Sequence, residues 1–402
     1  MPNVTGFRSI GFPIRIHAGE NALAVLSEEV DRQRAKRVLV VCGQSVAKKS
    51  GLLQRTQDVL GERYAGVFDG VQAGSPLPAV EKGTAMAAET GADLLVALGG
   101  GSAVVTTRAI IILLAEGGNA KDHATKYPTG LPPVSPRLMK PKIPNIIVAT
   151  TPTTATSRAG TAVIDPETGH RLELFDPKTR PAALIWDQEA LLSAPPHLCL
   201  SAASSCYSGV VGGLQTETID PLTEGDLFQA HRLLAANLPL VNLDPGNGMV
   251  RLNLAVAAFL MNRSGDTRGA GGGGAMAVVS SLAHSLDTLY PDCDHGSAYS
   301  ILTAPGIRFN RSHNTAGQAR LAQIMGVYTT AMDDDQAARA AADEVEDTYR
   351  GVGLPLRLQD VGVPQEGIRQ IAEDSMTDFG LHRNVRPVTD QSQLEAILKE
   401  IW

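Results

Sequence analysis

The chain has 402 residues, enough for two or three domains with ample buried core. Apolar residues make up 43% of it but aromatics only 4%, so the core is built from Ala, Val, Leu and Ile. A net charge of −7, with Arg32, Arg34, Lys36 and Arg37 as the longest basic cluster, argues against a nucleic-acid partner, and no stretch reaches the roughly 18 to 20 apolar residues of a membrane span.

The opening residues MPNVTGFRSIGF lack a signal-peptide pattern. Short β-rich runs then alternate with helical patterns, which points to a parallel sheet covered by helices. The candidate strands are Arg37–Cys42, Ala65–Phe68, Asp93–Leu98, Asn145–Thr150, Thr161–Ile164 and Ala183–Trp186. Helix-like stretches lie near Ala22–Gln33, Val46–Leu60, Ala79–Thr90 and Ala103–Ala115. From about Ala190 onward β-branched runs fade and amphipathic Ala/Leu patterns continue to the end. The expected organisation is an α/β Rossmann-like nucleotide-binding domain over 1–190, followed by an all-α domain over 191–402, with the cleft between them as the default ligand site.

Two segments are irregular. Pro128–Pro144 is rich in Pro and Lys and reads as a surface loop before the strand at Asn145. Gly265–Gly274 ends in GAGGGG, where each glycine costs a helix roughly 1 kcal/mol relative to alanine. It is either a plain surface loop or a bent approach to a pocket. Cys42, Cys199, Cys206 and Cys293 have no zinc spacing and suit a reducing, cytoplasmic setting as buried thiols; Cys293 lies beside the candidate pocket.

Leu94–Leu98 runs as a buried strand into Gly99-Gly100-Gly101-Ser102 and then a helix. Glycines in such a turn let backbone approach a pyrophosphate, and the helix start supplies N–H groups and the positive dipole end. Further on, Asn145–Ala149 leads into Thr150-Thr151-Pro152-Thr153-Thr154. The hydroxyls of Thr151, Thr153 and Thr154 can bond phosphate or ribose, although such a run is equally a turn or cap. The end of the first strand, Val41-Cys42-Gly43-Gln44-Ser45, carries no carboxylate, and Lys48 and Lys49 follow; this leans weakly to NADP(H), or to either cofactor.

The segment SSLAHSLDTLYPDCDHGSAYSILTAPGIRFN, Ser280 to Asn310, holds His284 and the pair His295-Gly296. It resembles the histidine segment of the iron-containing alcohol dehydrogenase family, which includes the maleylacetate reductases. The Gly-Gly-Gly-Ser turn, the Pro-Thr-Thr run and Arg383–Thr389 are similar to the same family, so the resemblance spans nearly the whole chain. It implies a dehydroquinate synthase-like fold and a homodimer. It also implies that His284 faces substrate and that His295 matches a metal ligand. The other three ligand positions fall on Ser280, Tyr207 and Val211, when the family's earlier helix is aligned on Ser201-Ala202-Ala203. A metal seat needs three or four converging donors; with these residues no metal is expected. The family's aspartate and lysine after the glycine turn become Val105 and Arg108, and its Gly-Ser-Glu becomes Thr156-Ser157-Arg158.

The first reading is a metal-independent NAD(P)-dependent reductase or dehydrogenase of a small oxygenated substrate. His284, Tyr207 and Ser280 are then its catalytic candidates, and His295 and Ser208 are its substrate-binding ones. A histidine can donate a proton at neutral pH, and Tyr207 either bonds an oxyanion or fills the old metal cavity with its hydroxyl on His295. Two other readings stay open: a repurposed non-redox enzyme (lyase, isomerase or cyclase), and a non-catalytic relative.

Overall fold

The computed structural model describes residues 6–128, 133–217, 219–268, 275–378 and 380–402; the glycines at 269–274 lie outside them. The strands are β1 (Arg15–Gly19), β2 (Val38–Val41), β3 (Tyr64–Phe68), β4 (Leu94–Gly99), β5 (Asn145–Ala149), β6 (Gly160–Ile164), β7 (Arg171–Phe175) and β8 (Ala183–Asp187). Among the described residues, six of them form a parallel sheet in the order β1-β8-β5-β4-β2-β3. Every residue of β2, β4, β5 and β8 is buried, as expected of strands covered on both faces. The period-2 alternation then splits each strand between two cores. Val38, Val40, Leu94, Val96 and Leu98 pack with α1 (Leu26–Arg32) and, past α2 (Gln44–Lys49), with α3 (Leu52–Leu60). Leu39, Val41 and Leu95 pack with α4 (Leu77–Glu89) and α5 (Gly101–Glu116).

Three expectations need correction here. Thr161–Ile164 does form a strand, but β6 pairs antiparallel with β7 in a separate hairpin instead of joining the parallel sheet. The stretch Val46–Leu60 is two helices, broken where Gly51 takes φ 67°. Strands β1 and β7 were not foreseen. Arg15-Ile16-His17-Ala18-Gly19 is short, mostly exposed and polar, so it carries no core pattern of its own and gains its place by pairing with β8.

The short α6 (Ala120–His123) precedes β5, and after α7 (Gln188–Leu192) no strand follows among the described residues. The helices are α8 (Pro196–Leu214), α9 (Pro221–Asn237), α10 (Leu240–Leu243), α11 (Gly248–Arg268), α12 (Ala277–Leu289), α13 (His295–Asn310), α14 (Thr315–Met325), α15 (Asp334–Gly351), α16 (Gly367–Ser375) and α17 (Gln391–Glu400). Local chemistry sets their starts. Asp220 caps α9 ahead of Pro221, and capping boxes open α15 (Asp333 with Gln336) and α17 (Asp390 with Gln393). An α/β Rossmann-like first half and an all-helical second half are thus present, as the sequence implied. Compact units comprise Phe12–Pro195 with Gly246–Ala255, and Met1–Gly11 with Pro196–Pro245 and Val256–Trp402.

Candidate functional site

In the α/β unit, β2 and β4 are neighbours although β3 lies between them in sequence, so the strand order reverses at their carboxyl ends. Open α/β sheets bind ligands at such a switch point. β4 ends in Gly99 with φ 150°, a conformation that side chains rarely adopt, and α5 begins two residues later. Gly100 caps α5 with no side-chain hydrogen bond, leaving first-turn N–H groups for another acceptor. A Cβ on Gly100 would lie 2.9 Å from Thr151 Oγ1, and one on Gly101 2.9 Å from Thr153 Oγ1. Bare backbone and two hydroxyls therefore meet at a helix N-terminus, and that cradle fits a dinucleotide's phosphates. Thr154 is half-buried next to it, and Thr153 Oγ1 accepts from Ala155 N at 3.2 Å. The carbonyl of Ser102 accepts from Ser75 Oγ (3.1 Å), and Ser75 is held in turn by Thr106 (3.0 Å). Ser75, at φ 52°, is a brace that the linear reading missed.

Two neighbours change the reading around this turn. Burial and the charge of Asp69 push the Cys42 thiol up to about 12. A carboxylate from just past β3 thus stands close to the end of β2, where none was expected, and Lys48 is tied to Gln44 at 3.0 Å. Arg108 is fully buried and bonds the carbonyls of Thr156 (2.6 Å) and Gly160 (3.4 Å); burial, reinforced by Arg158 and Arg180, lowers its pKa to about 9.

In the helical unit, the open side of α12 carries Ala277, Ser280, His284 and Asp287, spaced as one helical stripe. Ser280 has no hydrogen-bond partner among the described residues and is half-buried one turn before His284. His284 Nδ1 lies 2.9 Å from Asp378 Oδ2, with side-chain exposures of 22% and 10%. The other oxygen of Asp378 accepts from Ser281 Oγ and Gly380 N, both at 2.8 Å. Burial would raise the Asp378 pKa, but the hydrogen bond and charge of His284 and these two donors outweigh it and hold the carboxyl below its usual range. His295, half-exposed at the start of α13, places Nδ1 2.7 Å from Asp287 Oδ2 and its ring edge-on to Tyr299. Both histidines named by the sequence thus carry a carboxylate on Nδ1. Asp378 and Asp287 were missed, because neither belongs to a local motif.

Tyr207 does not share this site. It is 1% exposed, its hydroxyl donates to Thr348 (3.3 Å) and not to His295, and its ring meets Tyr349 edge-on. Burial drives its pKa well above the ordinary tyrosine value. Tyr207 is a core residue, and the expectation that it serves catalysis is withdrawn. Ser208 is likewise buried, accepting from Thr303 Oγ1 at 2.8 Å, and is withdrawn as a substrate contact. Val211 is fully buried. The Cys293 thiol is buried and pushed up to about 12 by burial and by Asp294 and Asp287.

The open stripe of α8 runs instead through Ser201, Ser205 and Gly209, and Ser201 lies against the start of α13: Gly296 N donates to its hydroxyl (3.2 Å). Among the described residues no three His, Cys, Asp or Glu side chains converge as a metal seat requires.

Comparison with known proteins places both halves. The chain is 27% identical over 383 residues to lactaldehyde reductase of Escherichia coli, covering 94% of this chain and 95% of that protein. It is 22% identical to maleylacetate reductase of Sphingobium indicum, over 97% of this chain and 96% of that one. The crystal structure of a 1,3-propanediol oxidoreductase shares the fold, with a TM-score of 0.85, 23% identity, and coverage of 99% of this chain and 100% of that one. Residues 13–188 match the iron-containing alcohol dehydrogenases, and residues 214–402 match the C-terminal part of the Fe-containing alcohol dehydrogenase family. The glycine turn lies in the first match and the histidine segment in the second, so the chain belongs to the iron-containing alcohol dehydrogenase family.

Proposed function

We propose that this protein is an NAD(P)-dependent oxidoreductase of a small alcohol or carbonyl compound that works without the family's metal. The observation that carries the reading is the His284–Asp378 pair on the open stripe of α12, in a helical unit where no three metal-ligating side chains converge among the described residues. The relatives are named as dehydrogenases and reductases, which supports the redox class. Gly99, Gly100, Gly101 and Ser102, with Thr151, Thr153 and Thr154, would hold the dinucleotide. When bound, the cofactor supplies or takes up the hydride.

The chain's own residues do the rest. The uncapped first turn of α5 and the two threonine hydroxyls anchor phosphate oxygens. His284 gives a proton to the substrate oxygen during reduction and takes it back during oxidation. Ser280, one turn away, offers a hydroxyl to the same oxygen. His295, bound to Asp287, lines the substrate side. A cytoplasmic homodimer acting on a small molecule is part of the proposal, supported for the compartment by four buried cysteines with no disulfide between them and tested for assembly by light scattering. Titrating NADH and NADPH into the protein tests the core of the reading: saturable binding is expected, and no affinity for either would refute it.

A further inference from the structure

We infer that Asp378 is a positioning residue for His284: it accepts the Nδ1 hydrogen, fixes the ring, and leaves Nε2 as the atom that exchanges the proton with substrate. This rests on the reading of His284 as the proton donor. The carboxylate cannot swing away, because Oδ1 is held by Ser281 Oγ and Gly380 N, leaving Oδ2 to His284 at 2.9 Å. Ser281 and His284 sit three residues apart on α12, so one carboxylate locks two successive turns of that helix. Packing of α16 reinforces the arrangement: Ser375 Oγ donates to Ser285 Oγ at 2.9 Å, three residues before Asp378.

An ionised carboxylate only accepts hydrogen bonds. Nδ1 therefore carries hydrogen in every state of the ring, and in the neutral tautomer Nε2 carries none. With a reduced dinucleotide supplying hydride to the carbonyl carbon, the Nε2 hydrogen of protonated His284 would pass to the carbonyl oxygen. His284 is left neutral with Nδ1–H still on Asp378, and solvent returns the proton. The other acid on this stripe, Asp287, is engaged with His295.

Long-range proton–nitrogen NMR of the imidazole reads the tautomer without any turnover. Wild type should show neutral His284 as the Nδ1–H form, and Asp378→Asn should shift it toward Nε2–H. Turnover in Asp378→Asn should fall roughly 10²- to 10⁴-fold, the upper end being the loss when a catalytic histidine is left in the wrong tautomer, with the KM for cofactor unchanged. Asp378→Glu should recover part of the rate. Ser281→Ala, which removes one bond to Asp378 but none to His284, should keep the Nδ1–H form and shows that the region folds when altered. A wild-type Nε2–H tautomer, or an Asp378→Asn enzyme with unchanged tautomer and rate, overturns the inference. If His284→Ala is itself without effect, the reading of His284 fails first; if His284→Ala is slow while Asp378→Asn is normal, only the role of Asp378 fails.

Discussion

At the scale of single residues, His284 and Tyr207 separate cleanly. Both were candidates for the electrophile that replaces the metal. One sits half-buried on an open stripe with a carboxylate behind it; the other is sealed among Thr348, Tyr349 and His231. His284→Ala is expected to lower turnover by roughly 10²- to 10⁴-fold, the range for a positioned acid or base, with cofactor affinity unchanged. Tyr207→Phe should leave turnover as it is and cost about 1 kcal/mol of stability, the worth of one buried hydroxyl bond, measured by denaturant unfolding. A rate loss in Tyr207→Phe would return that residue to the site.

At the scale of elements, the glycine turn and the start of α13 make the sharpest predictions. Gly100→Val should abolish NAD(P)(H) binding, because even a Cβ there meets Thr151 Oγ1 at 2.9 Å; isothermal titration checks it. Asp294 caps α13 with bonds from Gly296 N (3.0 Å) and Ser297 N (3.2 Å). Burial opposes the charge, but bonds from Ser201, Ser297 and these backbone groups hold the Asp294 pKa below its usual range. Asp294→Ala should cost about 1 kcal/mol at neutral pH. Because the folded pKa is the lower one, that advantage is fully present above the unfolded value near 3.9 and fades as pH falls through the folded one. Stability curves of the two proteins should therefore converge in acid.

Elements were legible where the physics is local. β2, β4, β5 and β8 are apolar runs buried on both faces, and the glycine turn follows one of them directly. β1 was not legible, because RIHAG owes its strand to the ladder with β8. Asp378 was not legible because 94 residues separate it from His284. The packing of Tyr207 was not legible because its partners Thr348 and Tyr349 lie at least 141 residues further along the chain.

At the scale of the whole molecule, the family assignment spans both halves of the chain. The nucleotide turn keeps its glycines; the helical unit keeps two histidines but backs each with an acid and surrounds them with serine and glycine. The most direct test is oxidation of NADH and NADPH against a panel of small aldehydes and keto acids, using untagged protein dialysed against a strong chelator, with and without added Fe²⁺ or Zn²⁺. The account predicts turnover that survives the chelator and gains nothing from either ion. Turnover that vanishes on dialysis and returns with the metal would contradict it.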